Sequence, residues 1–166
     1  LGVLARLLSA LHDDEGRVAV PGFYEQVRPL SDAERALFAK VPFDEAAYKE
    51  ELGVAALFGE PGYSPLERTW ARPTIEISGM WGGYRGEGVK TVLPASAHAK
   101  LTCRLVPDQE PDAVLAAIER FIVEQAQALT GVTVSVTRFP GNARAYLMPA
   151  EHPVLTAAAA VLADVY

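Results

Sequence analysis

Residues 97–106, Ala97-His98-Ala99-Lys100-Leu101-Thr102-Cys103-Arg104-Leu105-Val106, decide how this chain is read. Ala97, Ala99, Leu101, Cys103 and Leu105 fall on one side, and His98, Lys100, Thr102 and Arg104 on the other. Successive side chains of a strand point to opposite faces, so this alternation predicts a strand covered on one face. Working outward, Thr74-Ile75-Glu76-Ile77-Ser78 repeats the pattern, with Ile75 and Ile77 inward. Between the two strands runs a glycine loop holding Gly79, Gly82, Gly83, Gly86 and Gly88, then Lys90 and Thr91. Downstream, Val132, Val134 and Val136 alternate with Thr133, Ser135 and Thr137 and predict a third strand. Pro111 suits the first turn of an intervening helix, whose apolar stripe is Val114, Leu115, Ile118, Phe121, Ile122 and Leu129.

Ahead of the strands, Leu1, Leu4, Leu7, Leu8 and Leu11 recur at helical spacing, and the helix is expected to end near Asp13-Asp14-Glu15-Gly16. Residues 21–70 read as an insertion of short helices. Ser31 with Glu34 and Ser64 with Glu67 are capping boxes, and Gly53 stops a helix over 43–52. His152-Pro153 opens an Ala-rich helix at the far end. The order helix, strand, strand, helix, strand is α+β, with helices on one face of an antiparallel sheet. One strand ahead of Leu1 would complete a ferredoxin-like two-layer sandwich. No N-cap precedes the opening helix and no glycine follows the last. Both ends are therefore read as lying within helices, and the chain as a piece of a larger protein.

Composition narrows the function. A chain of 166 residues, half hydrophobic and at net charge -6, is one ordinary globular domain that argues against nucleic acid or an anionic membrane as partner. The lone Cys103 excludes an intrachain disulfide and a multi-cysteine zinc site, and fits a reducing cytoplasm. It alternates with apolar residues and is expected to be a core thiol. His12, His98 and His152 show no short metal-ligand spacing.

Between Trp70 and Val106 lie five basic side chains (Arg72, Arg85, Lys90, Lys100, Arg104) against two acidic ones, Glu76 and Glu87. A basic loop with exposed backbone is a candidate anion site. It is not a phosphate loop, because Val89 separates Gly88 from Lys90 and strand rather than helix follows. Arg104 can clamp a carboxylate bidentately, as a lysine cannot. Thr91 presents a hydroxyl on backbone free to approach a ligand. The same cations also fit an exposed edge strand charged against aggregation, and at this level both readings stand.

The motifs Trp70-Ala-Arg72-Pro73-Thr74, Gly82-Gly83-Tyr84, Gly86-Glu-Gly88-Val-Lys90-Thr91-Val-Leu-Pro94 and Arg104-Leu-Val-Pro107-Asp-Gln109 resemble the lid, or dimerisation, domain of the zinc-dependent metallopeptidases. That family includes carnosinase-like dipeptidases, aminoacylases, succinyl-diaminopimelate desuccinylases and glutamate carboxypeptidases, and the carnosinase-like branch is the nearest in look. The resemblance implies that residues 1–166 are a lid fragment with no catalytic residue of its own. Residues 71–140 would form its core strands and helix. Residues 150–166 would start the return to a separate catalytic domain carrying two zinc ions, a bridging water and a glutamate base. It implies a homodimer, a small peptide substrate with a free carboxylate, and a cytoplasmic setting.

By motif, Thr91 matches a threonine that reaches substrate oxygen in the partner's site, and Arg104 an arginine that binds the substrate carboxylate. The glycines 82, 83, 86 and 88 with Lys90 shape the loop. A family histidine falls near Gly141, where Asn142 or Arg144 would stand in. The rival reading is a free-standing ferredoxin-like module that binds a small regulatory ligand.

Overall fold

The computed structural model describes residues 1–149 and 152–165. Residues 150, 151 and 166, at the ends of the segment expected to lead into a catalytic domain, lie outside the described residues. Two strands, β1 (Thr74–Gly82) and β2 (Ala97–Arg104), pair antiparallel. The helices are α1 (Gly2–Ser9), α2 (Asp32–Phe38), α3 (Glu45–Leu52), α4 (Pro65–Ala71), α5 (Pro111–Gln127) and α6 (Pro153–Val165). The architecture is α+β, a two-layer sandwich in which α1 and α5 cover one face of the ladder.

The alternation of 97–104 becomes burial: odd positions are part-buried and even ones exposed. Ala99, Leu101, Cys103 and Leu105 pack on a core of Leu8, Leu11, Val18, Val20, Phe23, Ile75, Val114, Ala117 and Ile118. The helical stripes of α1 and α5 supply the other layer, and removal of these apolar surfaces from water is the main stabilising term.

Four sequence expectations are corrected. The opening helix stops at Ser9, because the Asp13 carboxylate accepts the N–H groups of Glu15 (3.0 Å) and Arg17 (2.8 Å) and so favours a turn over continued helix. β1 runs on to Gly82 through a bulge at Ser78, so Gly79 and Gly82 belong to the ladder and the loop begins at Gly83. β2 ends at Arg104, two residues before Val106. Residues 132–137 join no ladder among the described residues, although Val132 and Val134 keep the alternating burial. In a β-α-β-β-α-β sandwich the last strand pairs with the first, a pairing that strand periodicity alone does not supply.

The capping boxes at Ser31 and Ser64 form as expected, and Gly53 takes the left-handed C-cap that a Cβ would strain. Tertiary contact reuses both boxes. Glu67, 5% exposed, accepts the Ser64 N–H (2.7 Å) and the Arg35 guanidinium (3.0 Å), joining α2 to α4. Arg72 bonds both Glu60 carboxylate oxygens (2.7 Å each) and lies over Tyr63 (4.4 Å) and Tyr24 (5.1 Å). This pair ties the 21–70 segment to the start of β1.

Leu11→Ala and Ile75→Ala remove fully buried side chains. Each is expected to lower the unfolding free energy by about 2–5 kcal/mol in urea titration. Val161→Ala, on the exposed α6, should change it by less than about 0.5 kcal/mol.

The Arg28 guanidinium and the Ser31 N–H hold the Glu34 carboxyl down from 4.5 to about 2. A carboxylate depressed by folding stabilises the fold above its unfolded value, and that contribution is lost as pH falls from about 4.5 towards 2. Glu34→Gln should flatten this limb of the stability-against-pH curve, and an unchanged limb would refute the assignment.

Candidate functional site

The outer face of the ladder carries the polar set: Thr74 opposite Arg104, Glu76 opposite Thr102, Gly79 opposite Lys100 and Trp81 opposite His98. Trp81 and His98 stack (5.3 Å, 15° between planes), and the Lys100 ammonium lies 5.8 Å from the indole centre. Arg104 is exposed at the end of the strand and makes no ion pair among the described residues.

Asn142 and Arg144 lie at the same end as Arg104. Asn142 Nδ2 donates to Asp112 Oδ1 (3.0 Å), and Arg144 pairs with Glu110 Oε2 (2.6 Å), both at the start of α5. The guanidinium of Arg144 is thus already matched by a carboxylate, whereas that of Arg104 is not. Residues 145–147 continue beside 105–107 along an apolar groove of about 460 Å³ that Trp70 and Phe38 also line.

Thr91 lies in the loop beyond the opposite end, where Gly82 pairs with Ala97. The loop is shaped rather than slack. Tyr84 donates its hydroxyl to the Glu87 carbonyl (2.8 Å), and Lys90 Nζ sits 4.5 Å above the Tyr84 ring. A Cβ on Gly86 would meet the Tyr84 hydroxyl, so an alanine there would push the Tyr84 ring aside. Val89 and Leu93, 94% and 95% exposed, flank Lys90 and Thr91. The seven residue steps from Ala97 to Arg104 span about 23 Å of strand. The fold brings Arg104, Asn142 and Arg144 to one end and sets Thr91 with Gly83, Gly86, Gly88 and Lys90 at the other.

Gln109 stands in the Arg104-Leu-Val-Pro107-Asp-Gln109 motif, where the sequence assigns it no role. Its side chain, 2% exposed, accepts the Val106 N–H (3.0 Å) and donates to the Phe23 carbonyl (2.8 Å). The signal available was Pro107-Asp108-Gln109, a turn sequence just past a strand end.

Among the described residues no group of three or more His, Cys, Asp or Glu side chains converges to hold a metal ion. Nor is any helix among them long and apolar enough to cross a membrane.

Residues 1–130 match the family model of the peptidase dimerisation domain. The chain belongs to that family. It is 31% identical to the Beta-Ala-His dipeptidase of Rattus norvegicus over 111 residues, 67% of this chain and 23% of the relative. It is 32% identical to a Cys-Gly metallodipeptidase of Candida albicans over 107 residues, 64% of this chain and 22% of the relative. Among solved structures, a metallo-carboxypeptidase from Sulfolobus solfataricus superposes with TM-score 0.65 at 36% identity, covering 74% of this chain and 32% of that one. Human carnosine dipeptidase 1 superposes at 0.68 and 29% identity, covering 75% and 26%. This dimerisation domain therefore spans about a quarter of the curated metallodipeptidases it resembles.

Cys103 packs on the core, and burial, with the Glu76 carboxylate adding to it, pushes its thiol from 9.0 to about 11. A thiol so raised stays neutral, and unreactive, until pH approaches 11. Iodoacetamide at pH 8 should label the native chain far more slowly than the urea-unfolded chain. Equal rates would contradict the burial of this sulfur.

Proposed function

We propose that residues 1–166 act as the lid and dimerisation domain of a longer zinc-dependent dipeptidase, with 21–70 as an insertion and 71–140 as the core. The chain is inactive alone, and its role is to bind and orient a small peptide against a catalytic domain that holds the two metal ions. Arg104 receives the free substrate carboxylate, where a guanidinium forms paired bonds that fix orientation. Thr91 offers its hydroxyl to a substrate oxygen. Asn142 and Arg144 border the carboxylate end in place of a histidine. A cytoplasmic setting is in keeping with the lone, part-buried thiol.

The observation that carries this reading is the separation of Thr91 from Arg104 along β2. A loop residue beyond one end of a strand and a residue at its other end do not meet on one dipeptide, so if both touch substrate they serve two active sites. That arrangement calls for two copies of the chain. The outer edge of β1 fits such an interface: among the described residues its backbone has no ladder partner on that side, and Ile77 and Met80 are 45% and 51% exposed. Unpaired edge strands with apolar side chains readily pair, and two copies of β1 related by a twofold axis would do so in isologous fashion.

The full-length peptidase carrying this domain tests the reading. Arg104→Ala and Thr91→Ala homodimers should each be nearly inactive on a dipeptide. Unfolded and refolded together, they form mixed dimers in which one site has both residues intact. About a quarter of wild-type activity should return, half the dimers being mixed and half their sites whole. No recovery on mixing would mean that both residues serve a single site, and the shared-site reading would fall.

A further inference from the structure

We propose that Gln109 is a positioning residue for Arg104, holding the carboxylate-binding end of the sheet in register; this rests on the reading of Arg104 given above. The ladder secures β2 only as far as the Thr74–Arg104 pair, and beyond it no strand fixes the chain. The next five residues are held instead by the buried amide of Gln109. Its Oε1 accepts the Val106 N–H at 3.0 Å, its Nε2 donates to the Phe23 carbonyl at 2.8 Å, and its own N–H donates to the Val106 carbonyl at 3.3 Å. Between them Asp108 sits at φ 74°, a left-handed turn conformation that aspartate adopts more readily than most non-glycine residues.

The same turn governs the flanking groups. The Glu110 N–H donates to Gln26 Oε1 (2.9 Å), and the Glu110 carboxylate in turn holds Arg144. Gln109 thus links the core segment at Phe23 to both the exit of β2 and the start of α5. No other common side chain of this length both accepts at one end and donates at the other: glutamate lacks the donor and methionine lacks both. Loss of the amide frees the segment that follows Arg104 and leaves a guanidinium that is present but poorly aimed. Misplacement by about 1 Å costs on the order of 100-fold where orientation matters.

The test uses the full-length peptidase and compares a dipeptide with its C-terminal amide, which lacks the carboxylate. Wild type should prefer the dipeptide, and Arg104→Lys should erase most of that preference. Gln109→Met and Gln109→Glu should each reduce it by about 10- to 100-fold through a raised KM on the dipeptide, with kinetics on the amide little changed. Leu8→Ala, which weakens the same core without removing a Gln109 hydrogen bond, serves as the control for instability and should keep the preference. If both Gln109 variants melt earlier but keep the wild-type preference while Arg104→Lys loses it, Gln109 is merely structural and the inference is overturned. If Arg104→Lys keeps the preference, the carboxylate reading fails and takes the inference with it. Should Gln109→Met not fold, Gln109→Glu, which retains the acceptor for the Val106 N–H, decides alone.

Discussion

Everything in this domain depends on covering one face of a ladder of two strands. A two-stranded ribbon is marginal in water, because it buries too little to offset the conformational entropy it loses. Here α1 and α5 lie on the inner face, and Leu8, Leu11, Val114 and Ile118 meet Ile75 and the inward residues of β2. The cover is uneven: Ala99, Leu101 and Cys103 of β2 and Ile75 of β1 pack on the core, whereas Ile77 and Met80 of β1 remain half exposed. The helices thus make β2 the rigid element of the pair, and β2 is the strand that carries Arg104.

Polar anchors set the ends of that rigid element. At one end Arg72, caged by Tyr24 and Tyr63 and bonded to Glu60, fixes the entry into β1. Burial alone would lower this guanidinium, but the paired bonds to Glu60 outweigh that and raise it, so the cation persists. Tyr24 stacks edge-on with Phe23, whose carbonyl takes the Gln109 amide. The insertion, the first strand and the turn after the second strand therefore share one connected set of contacts. At the far end the glycine loop is held by Tyr84 alone among its aromatics, and its apolar tip at Val89 and Leu93 lies in solvent.

The division between rigid strand and exposed loop bears on how such a domain serves a peptidase. A carboxylate clamp needs precise aim, and Arg104 sits where the ladder, the turn and α5 converge. A residue that reaches across to another subunit needs length and access, and Thr91 sits on an exposed loop. On the proposed reading, one hairpin meets both demands, with Arg104 and Thr91 towards its opposite ends.

Local pattern alone established the α+β class, the two strands, the covered face of β2, both capping boxes and the part-buried thiol, because each is written in the spacing or chemistry of near neighbours. The Arg-Leu-Val-Pro and Lys-Thr-Val-Leu-Pro motifs likewise marked Arg104 and Thr91 as residues to weigh. Partners distant in sequence decided the rest. Residues 132–137 have strand periodicity but join no ladder among the described residues, because periodicity reports side-chain alternation and not a pairing partner. The opening helix ends early because Asp13 captures nearby N–H groups. Gln109 acts across 86 residues on Phe23, and Arg144 is drawn to Glu110, contacts that no local spacing encodes. Sequence determined which side chains face outward; tertiary structure decided which of them are already paired, and so which remain free to meet a ligand.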